Sequence, residues 1–559
     1  MTKPGEANPT ETNRRATLKI GATLGAVGLT GLAGCSGNNS SQDGTSSGGT
    51  TAGDDTESST ETTPDSLPRG GTFKIGAQQG IQTMNPFKGF LADLLTGEVM
   101  YDRLTRVDQD FKVHPNLAKE WEHNDDYTKW TFKLQENATF ANLDGQTATA
   151  SDVKATYEYL TSEEFSGSAS SLGDVEQVKA VDDKTVEITL ANSDIDFPKR
   201  IAETGGAFFV VPKKILDDDP KKLENTDYGT GQLTLTNWNQ KNKLTFEAKS
   251  DYHRKGVDDK PLPYFDKLEW DILSDEIQRV NALSDGSIDA VSRISSKVKK
   301  RVPNSAKVEK QASGLQFPIV LDTKIKPFDD PKVRKAIKYA LDRKQIVTAV
   351  SGEGVLGHHS GITPAHTYYN DNLPVDDTFG KTAKPKKAKQ LLKEAGHAGG
   401  FEVKTFHYDD GVPAKETIAQ LFQQQMRNVG IEFEIKKLTE EKWLADYWNK
   451  DGEWYITNYS TRVLGETVLQ LALRSEGPWN EANWSNKKFD EAFNKAVTAT
   501  DGETKAKNLK KCQEINHREG AWVGTYHPTI YGAHKNYVKN YDFYPTYVKD
   551  FVTQCAVDK

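Results

Sequence analysis

The residues best suited to chemistry lie in the stretch GEGVLGHHSGITPAH, which combines three spaced glycines with three histidines. Gly352, Gly354 and Gly357 match the GxGxxG spacing of a dinucleotide-binding loop, which follows a strand and opens a helix. Here the order is reversed, because an amphipathic helical pattern precedes the glycines and a loop with Gly, Pro and Asn follows them. We therefore expect no nucleotide to bind at this loop.

The histidines of the same stretch, His358, His359 and His366, could serve as metal ligands. However, no cysteine or carboxylate accompanies them at the spacing that metal sites use. We therefore expect solvated imidazoles on a polar loop, and we keep a metal site as the alternative.

Covalent chemistry has no sequence motif in this chain. The part beyond residue 69 contains no GxSxG, HExxH or GxxxxGK[ST] pattern. Catalytic triads are recognised by their geometry, so this absence does not exclude a hydrolase. We expect a protein that is not an enzyme and carries no cofactor, and a secreted hydrolase remains the rival hypothesis.

Strands and helices alternate in the segments that must position these residues. GTFKIGA, WTFKLQ, TVEITL and KLTFEAK alternate apolar and polar residues as half-buried strands do. Thr149 or Ser151 can cap a helix with Asp152 in its first turn, and Gly396 ends another helix before the strand FEVKTFHY. The helix ETIAQLFQQQMRNVG and the strand IEFEIKKL follow, so the sequence predicts an α/β fold.

The acidic pair in PFDDPKVRKAIKYALDRKQIV is structural. Asp330 before Pro331 fits an N-cap followed by proline at the first helical position. An apolar stripe then predicts one helix over residues 331–350, formed by Val333, Ala336, Ile337, Ala340, Leu341 and Val347. A carboxylate at a helix N-terminus complements the helix dipole, so Asp329 and Asp330 need no catalytic role.

Length and charge limit the possible functions. A chain of 559 residues is too long for one core and suggests about three domains. The net charge of −8 argues against a nucleic-acid-binding protein, because such a protein would show a basic face.

The N-terminus carries the pattern of an export signal. Arg14 and Arg15 precede a Gly/Ala-rich apolar run over residues 20–34, which is too short to span a membrane. The arginine pair resembles a twin-arginine signal, and LAGC resembles a lipoprotein cleavage box whose Cys35 receives the lipid. Residues 36–69 are rich in Ser, Thr, Gly and acids and predict a flexible tether. We therefore expect export and lipid anchoring at the outer face of the cytoplasmic membrane.

The string PFDDPKVRKAIKYALDRKQIV also resembles the signature of the extracellular solute-binding proteins of family 5, the dipeptide, oligopeptide and nickel receptors of ABC importers. Other stretches agree with the family in the same order, namely HPNLAKEWEHNDDYTKWTFKLQENATFANLDGQTATASDV, YGTGQLTLTNW, ALSDGSIDAV, AKQLLKEAGHAGGFEV and WNEANWSNKKFDEAF. The resemblance covers nearly the whole chain after the tether, although Gln232 stands where such proteins often have proline.

This resemblance implies a periplasmic-binding-protein-like clamp in which two lobes close on a ligand by a hinge. An extra small domain is expected as an insertion in lobe I. By this analogy, lobe I comprises residues 70–105, 206–313 and 525–559, the inserted domain comprises residues 106–205, and lobe II comprises residues 314–524. Residues 1–35 form the export signal.

The resemblance also gives an expected ligand site. Trp443 matches the position at which peptide receptors place an aromatic ring in the cleft, and the alternative is a core tryptophan between helix and sheet. Peptide receptors commonly hold the ligand's α-amino group with an aspartate, but Leu464 falls on that position and Glu466 is the nearest acid. Arg462 could bind a carboxylate or phosphate through two hydrogen bonds, and the alternative is a surface ion pair with Glu466. The expected ligand-binding residues are Asn85, His358, His359, Trp443, Asn458, Tyr459, Thr461, Arg462 and Trp484.

From these observations we expect a membrane-tethered receptor that captures a peptide or similar carboxylate-bearing solute and delivers it to an ABC permease. The alternatives are the secreted hydrolase and a receptor for nickel or a metal chelate. We expect a monomer without nucleic-acid partners. Cys512 and Cys555 have no CxxC spacing, so the sequence leaves open whether they form a disulfide.

Overall fold

The computed structural model describes residues 66–88, 97–162, 172–202, 208–373, 379, 381–541, 543 and 552–559. The predicted signal residues Arg14 and Arg15, the predicted lipid-bearing Cys35 and residues 36–65 of the predicted tether lie outside these ranges. Among the described residues, no helix combines the length and apolar character that a bilayer span requires.

The last residues of the predicted tether pack against the rest of the protein. Leu67 is buried in a small apolar cluster with Tyr252, Leu262 and Tyr264. The Arg69 guanidinium lies 2.6 Å from the Asp258 carboxylate and donates to the carbonyl of Pro261. The folded body therefore begins slightly before the predicted boundary at residue 70.

The largest sheet has eight strands drawn from distant parts of the chain. In spatial order its main path runs through Ala306–Ala312, His527–Lys535, Ala290–Ile294, Thr72–Ala77, Lys267–Ile272, Lys243–Ala248 and Leu233–Asn239, and Gly354–Val355 pairs with His527–Lys535 off this path. Phe73, Ile75, Phe246 and Trp270 form part of its core. We call this part of the protein the first unit.

A five-stranded sheet organises the second unit. Its spatial order is Ile435–Leu438, Phe406–Asp409, Tyr455–Ile456, Pro318–Val320 and Trp522–Gly524. Its core is the largest apolar cluster of the described residues and includes Ile319, Ile337, Phe406, Phe422, Trp454 and Phe489. Two connections lead from this sheet to the first unit, one at residues 313–317 and one at residues 525–526.

A third sheet has the strand order Ala118–His123, Lys129–Leu134, Thr185–Leu190 and Val175–Ala180. It has its own core, which includes Trp130, Phe132, Val153, Ile188 and Phe197. Two-stranded ribbons complete the strands as Thr105–Val107 with Val113–Pro115, Phe401–Glu402 with Ile431–Glu432, and Val538–Lys539 with Ala556–Val557. We call the part built around the four-stranded sheet the third unit.

The described α-helices are Ala150–Leu160, Phe197–Arg200, Lys213–Asp218, Glu276–Asp285, Pro331–Ala340, Arg343–Val350, Pro385–Glu394, Ala414–Arg427, Glu440–Asp446, Glu466–Val468, Lys487–Val497 and Gly502–Glu519. Short 3₁₀ turns cover Pro220–Glu224 and Lys299–Arg301, and Leu469–Leu473 is a π-helical turn.

Several local predictions are confirmed. Asp330 caps the helix Pro331–Ala340 by accepting a hydrogen bond from the Lys332 amide at 2.7 Å. Thr149 is the N-cap of Ala150–Leu160 and Asp152 completes a capping box. Gly396, which was predicted to end a helix, follows Pro385–Glu394 with φ of 87°.

Other predicted elements are broken in two. The predicted helix over residues 331–350 ends at Ala340, because Leu341 is extended and Asp342 caps a second helix through the Gln345 amide at 2.8 Å. The predicted strands FEVKTFHY and IEFEIKKL each split into a ribbon strand and a strand of the five-stranded sheet. The predicted residue boundaries of the lobes stay a prediction.

Candidate functional site

One edge of the five-stranded sheet collects most of the predicted ligand-binding residues. Phe406–Asp409, Ile435–Leu438 and Tyr455–Ile456 run parallel, so their carboxyl ends lie at the same edge. Pro318–Val320 is antiparallel to Tyr455–Ile456 and begins at this edge, where the chain arrives from the first unit. Ligands of open α/β sheets bind outside the carboxyl ends of the strands, so this edge is the candidate site.

The chain beyond Tyr455–Ile456 is fixed to the connection between the units. The Gln316 and Tyr459 backbones exchange two hydrogen bonds of 3.1 and 3.0 Å. Thr461 is buried against Gly314, and a Cβ atom added to Gly314 would lie 2.6 Å from the Thr461 Cγ2. Asn458 directly precedes Tyr459 and is half-buried. The predicted residues Asn458, Tyr459 and Thr461 therefore lie beside the connection at residues 313–317. We call this connection and the one at residues 525–526 the first and second hinge connections.

Tyr459 contacts an acid that the sequence analysis did not select. Its hydroxyl donates to the Glu481 Oε1, and its ring lies 4.9 Å from the Trp522 ring. Glu481 is 1 % exposed. Burial raises the pKa of Glu481 to about 7, although hydrogen bonds from Tyr459, Tyr455 and Trp448 act in the opposite direction. Glu481 lies within the stretch WNEANW, whose aromatic residues were the available sequence signal.

Arg462 is buried at this edge with 8 % exposure. Its backbone carbonyl accepts a hydrogen bond from the His366 Nε2 at 2.8 Å. Within the described ranges, the Arg462 guanidinium has no hydrogen bond or ion pair to another side chain. The alternative of a surface ion pair with Glu466 is wrong, because Glu466 is buried and lies 3.0 Å from the Lys505 Nζ.

Trp443 lies on the helix Glu440–Asp446, which starts at the same edge and is capped by the Thr439 hydroxyl. Its ring is 5 % exposed and forms an edge contact of 5.6 Å with Tyr455. The Lys415 Nζ lies 4.9 Å from the Trp443 ring and forms a buried ion pair with Asp409. The ring is part of the second unit's core, and its buried indole nitrogen has no hydrogen-bond partner among the described residues.

Comparison with known proteins shows which family has this arrangement. Residues 112–480 match the bacterial extracellular solute-binding proteins, family 5. The chain belongs to this family. Solute-binding proteins of this family are binding proteins rather than enzymes.

Two curated relatives of this solute-binding protein illustrate the range of the family. Heme-binding protein A of Haemophilus influenzae is 26 % identical over 499 residues, which cover 80 % of this chain and 85 % of that protein. Dipeptide-binding protein DppE of Bacillus subtilis is 24 % identical over 450 residues, which cover 76 % and 80 %.

A solved structure shows the same fold. The periplasmic binding protein DppA of Helicobacter pylori, in complex with the peptide STSA, superposes with a TM-score of 0.72 at 20 % identity. The match covers 88 % of this chain and 99 % of that one. The predicted α/β two-lobed clamp of the periplasmic-binding-protein type is therefore confirmed.

The prediction of solvated histidines in this solute-binding protein is wrong. His358, His359 and His366 are 4 %, 1 % and 6 % exposed. The helix Gly502–Glu519 and the strand Trp522–Gly524 cover this loop. His359 lies between the His517 ring of the helix and the Gly524 amide of the strand. The glycine and proline residues of the loop correctly predict an irregular backbone. They give no information about the helix and the strand that bury the loop.

Hydrogen bonds determine which ring nitrogens of these imidazoles carry a proton, and burial keeps the rings neutral. The His358 Nε2 donates to the Leu373 carbonyl at 2.7 Å, and the His359 Nδ1 accepts from the Gly524 amide at 2.8 Å. The His517 Nδ1 accepts from the His359 amide at 3.2 Å. Burial lowers the pKa of His358 to about 4 and that of His517 to about 2, and the pKa of His359 is well below its usual value for the same reason. The cluster is therefore neutral.

This environment does not favour a metal. Arg343 and Lys338 lie close enough to lower the pKa of His359. Arg343 donates to a backbone carbonyl of the second hinge connection, and Lys338 donates to two backbone carbonyls of the helix Gly502–Glu519. Burial lowers the pKa of Lys338 well below its usual value and that of Arg343 only to about 10, so a bound cation would meet the positive charge of Arg343. Among the described residues, no group of three or more His, Cys, Asp or Glu side chains could hold a metal ion.

The remaining predicted residues, Trp484 and Asn85, are buried. Trp484 is 4 % exposed and forms an edge contact of 5.4 Å with Phe489. Asn85 is 1 % exposed and belongs to the first unit, where its Oδ1 accepts from the Phe87 amide at 3.0 Å. The Trp484 ring packs against Phe489, and the Asn85 side chain bonds to the backbone. Their predicted contact with a ligand stays a prediction.

The two described cysteines are separate. Cys512 is buried in the core of the second unit, and Cys555 is buried in the core of the first unit. They do not form the disulfide that the sequence left open.

Proposed function

We propose that this solute-binding protein is the receptor of an ABC importer and captures a peptide or a similar small organic acid between its two lobes. Binding energy closes the lobes, and the permease distinguishes the closed receptor from the open one. The names of the relatives support a peptide receptor, since DppE binds dipeptides and the DppA structure contains a peptide. The family's extracellular location supports export, and the N-terminal pattern adds the proposal of a lipid anchor at Cys35.

Arg462 is the observation that favours an anionic ligand. Arg462 is 8 % exposed, its guanidinium has no acidic partner within the described residues, and it lies at the sheet edge beside a hinge connection. A guanidinium in a dry cleft binds a carboxylate through two parallel hydrogen bonds. Leu464 stands where peptide receptors commonly hold the aspartate for the ligand's amine, so we propose that the carboxylate end of the ligand is the main charged contact.

Replacement of Arg462 tests this assignment. We expect Arg462→Ala to weaken a ligand with a free carboxylate by about 2 kcal/mol or more, because the carboxylate would lose charge-assisted hydrogen bonds on leaving water. The tetrapeptide Ser-Thr-Ser-Ala and its C-terminal amide form a matched pair of probes for calorimetry. The parent protein should prefer the free acid, and the variant should lose this preference.

A substitution of the exposed Arg427, in the last turn of Ala414–Arg427, controls for the general loss of a positive charge. Arg427→Ala should bind both probes as the parent protein does. Equal affinity of the parent protein and Arg462→Ala for the free acid would remove Arg462 from the ligand site.

A further inference from the structure

Five charged side chains, three of them on buried residues and two half-buried, lie together where the third unit meets the second. The Lys505 Nζ lies 2.6 Å from the Asp196 Oδ2, 3.0 Å from the Glu466 Oε1 and 3.8 Å from the Asp194 Oδ1. The Arg200 Nε lies 2.6 Å from the Asp194 Oδ2. The Lys505 and Glu466 side chains are each 1 % exposed. We call Asp194, Asp196, Arg200, Glu466 and Lys505 the charge network.

The network joins two separately packed units. Asp194, Asp196 and Arg200 follow the strand Thr185–Leu190, and the neighbouring Phe197 and Ile201 belong to the third unit's core. Lys505 lies on the helix Gly502–Glu519, whose Leu509 belongs to the second unit's core. Along the chain, the third unit lies between strands of the first unit, Thr72–Ala77 and Leu233–Asn239, so we expect it to move with the first unit.

The contacts around the network are mostly polar. The Tyr368 hydroxyl donates to the Asp196 Oδ2 at 3.0 Å, and the Lys199 Nζ donates to the Thr367 Oγ1 at 2.9 Å. The apolar part of the contact is a small cluster whose buried members are Val107, Phe111, Ala202 and Val463. A contact made of ion pairs, hydrogen bonds and a small apolar cluster resembles those of domains that separate, rather than a permanent core.

Only Lys505 carries ion pairs across the contact, to Asp196 and Asp194, because the Lys505–Glu466 and Arg200–Asp194 pairs each lie within one unit. Burial acts to raise the pKa of Asp194 and Glu466, but Arg200 and Lys505 outweigh it and hold both values below their usual range. Burying ions costs desolvation energy that their attraction roughly offsets, so the contact can form and break. Without Lys505, three carboxylates would share one guanidinium, and their repulsion would separate the units.

We propose that the charge network is a latch that holds the second and third units together across the cleft and keeps part of the population closed without a ligand. Lys505 is the central residue, because its ammonium contacts acids on both sides. Tyr368 adds one hydrogen bond from the second unit to the third. The latch sets how often the free receptor closes, independently of which solute the receptor takes.

Distances between spin labels test the latch in the full-length chain. Val181 is 51 % exposed on the third unit, and the Lys487 side chain is 91 % exposed on the second, so cysteines at these positions accept labels. Cys35→Ser leaves only the buried Cys512 and Cys555. Double electron–electron resonance without added ligand then measures the ratio of short to long distances.

In the parent protein we expect a short-distance population, and in Lys505→Met we expect the ratio of short to long distances to fall by about tenfold or more. Tyr368→Phe removes a single hydrogen bond and should lower the ratio by about threefold. Asp218→Asn removes a charge from an exposed pair with Lys222 in the first unit and should leave the ratio unchanged.

Two results would overturn the proposal. The first is a parent protein that shows only the long distance, since the network would then not hold the units without ligand. The second is an unchanged ratio in Lys505→Met. If Lys505→Met does not fold, Tyr368→Phe decides the question in the same way, because an unchanged ratio in that variant contradicts the latch.

Discussion

Lowering the pH from 7 to 5 is expected to remove about 4 kcal/mol from the free energy of unfolding, well before ordinary carboxylates are protonated. The cause is the buried cluster of His358, His359 and His517 together with the buried His527, whose Nδ1 donates to the Leu315 carbonyl at 3.2 Å. Burial lowers the pKa of His358 to about 4, of His527 to about 3 and of His517 to about 2, and it holds the pKa of His359 well below its usual value. Below pH 6.5 the unfolded chain binds protons at these sites and the folded chain does not, so stability falls with pH.

Two acids oppose this loss in part. Burial raises the pKa of Glu481 to about 7 and that of Asp227 to about 6. Their contribution to the free energy of unfolding is present at low pH and is lost as the pH rises through these values. On acidification the two acids therefore raise the free energy of unfolding while the histidines lower it. Between pH 7 and pH 5, each of the four histidines lowers the free energy of unfolding by up to about 2 kcal/mol. The two acids together raise it by about 4 kcal/mol, so the net loss is about 4 kcal/mol.

Urea unfolding at pH 7 and pH 5 measures this difference. His517→Asn keeps an acceptor for the His359 amide but cannot titrate, so this variant should lose about 2 kcal/mol less between the two pH values than the parent protein. His123→Asn changes an exposed histidine and should leave the difference unchanged. Equal stability of the parent protein at both pH values would show that the cluster is protonated in the folded state.

Lys415→Met is expected to lower the free energy of unfolding by about 3 to 5 kcal/mol, because it leaves the buried Asp409 carboxylate without its cation. The Lys415 and Asp409 side chains are 2 % and 1 % exposed, and the Lys415 ammonium also contacts the Trp443 ring. Methionine retains most of the apolar length of lysine, so the loss of the charge dominates the effect. Urea unfolding at neutral pH measures it.

The double variant Lys415→Met with Asp409→Asn should recover at least half of the loss, since the remaining amide carries no charge. Lys437→Met provides the control, because Lys437 lies 3.8 Å from Glu416 with both side chains about half exposed, and its loss should cost less than about 1 kcal/mol. A single Lys415→Met variant as stable as this control would contradict the assignment of a buried ion pair.

Local sequence signals predicted local structure well in this chain. The Asp330 cap and the Thr149 capping box follow from residue types within four positions of each other. The break after Ala340 was missed because the apolar stripe continues across it, although Asp342 was the available signal for a new helix. Periodicity alone does not separate one long helix from two short helices that share an apolar face.

The site depends on contacts that no local pattern contains. His359 meets His517, and Lys505 meets Asp196, across more than 150 residues of chain in each case. Family resemblance identified the segment with Tyr459, Thr461 and Arg462, but it missed Glu481 and the ion pair that occupies Glu466. The burial of the histidines follows from the packing of a helix that lies far along the chain, so the residues of the loop could not show it.

The central claim is that this protein captures a small solute between two lobes. Native mass spectrometry of the full-length protein, purified without denaturation from the cells that make it, tests this most directly. We predict a stoichiometric added mass that disappears on denaturation and matches a peptide or another carboxylate-bearing compound. Bare protein mass, together with no rise in melting temperature across a panel of peptides and organic acids at a large excess, would contradict the claim, since about 2.7 kcal/mol of stabilisation is expected at a hundredfold excess over Kd.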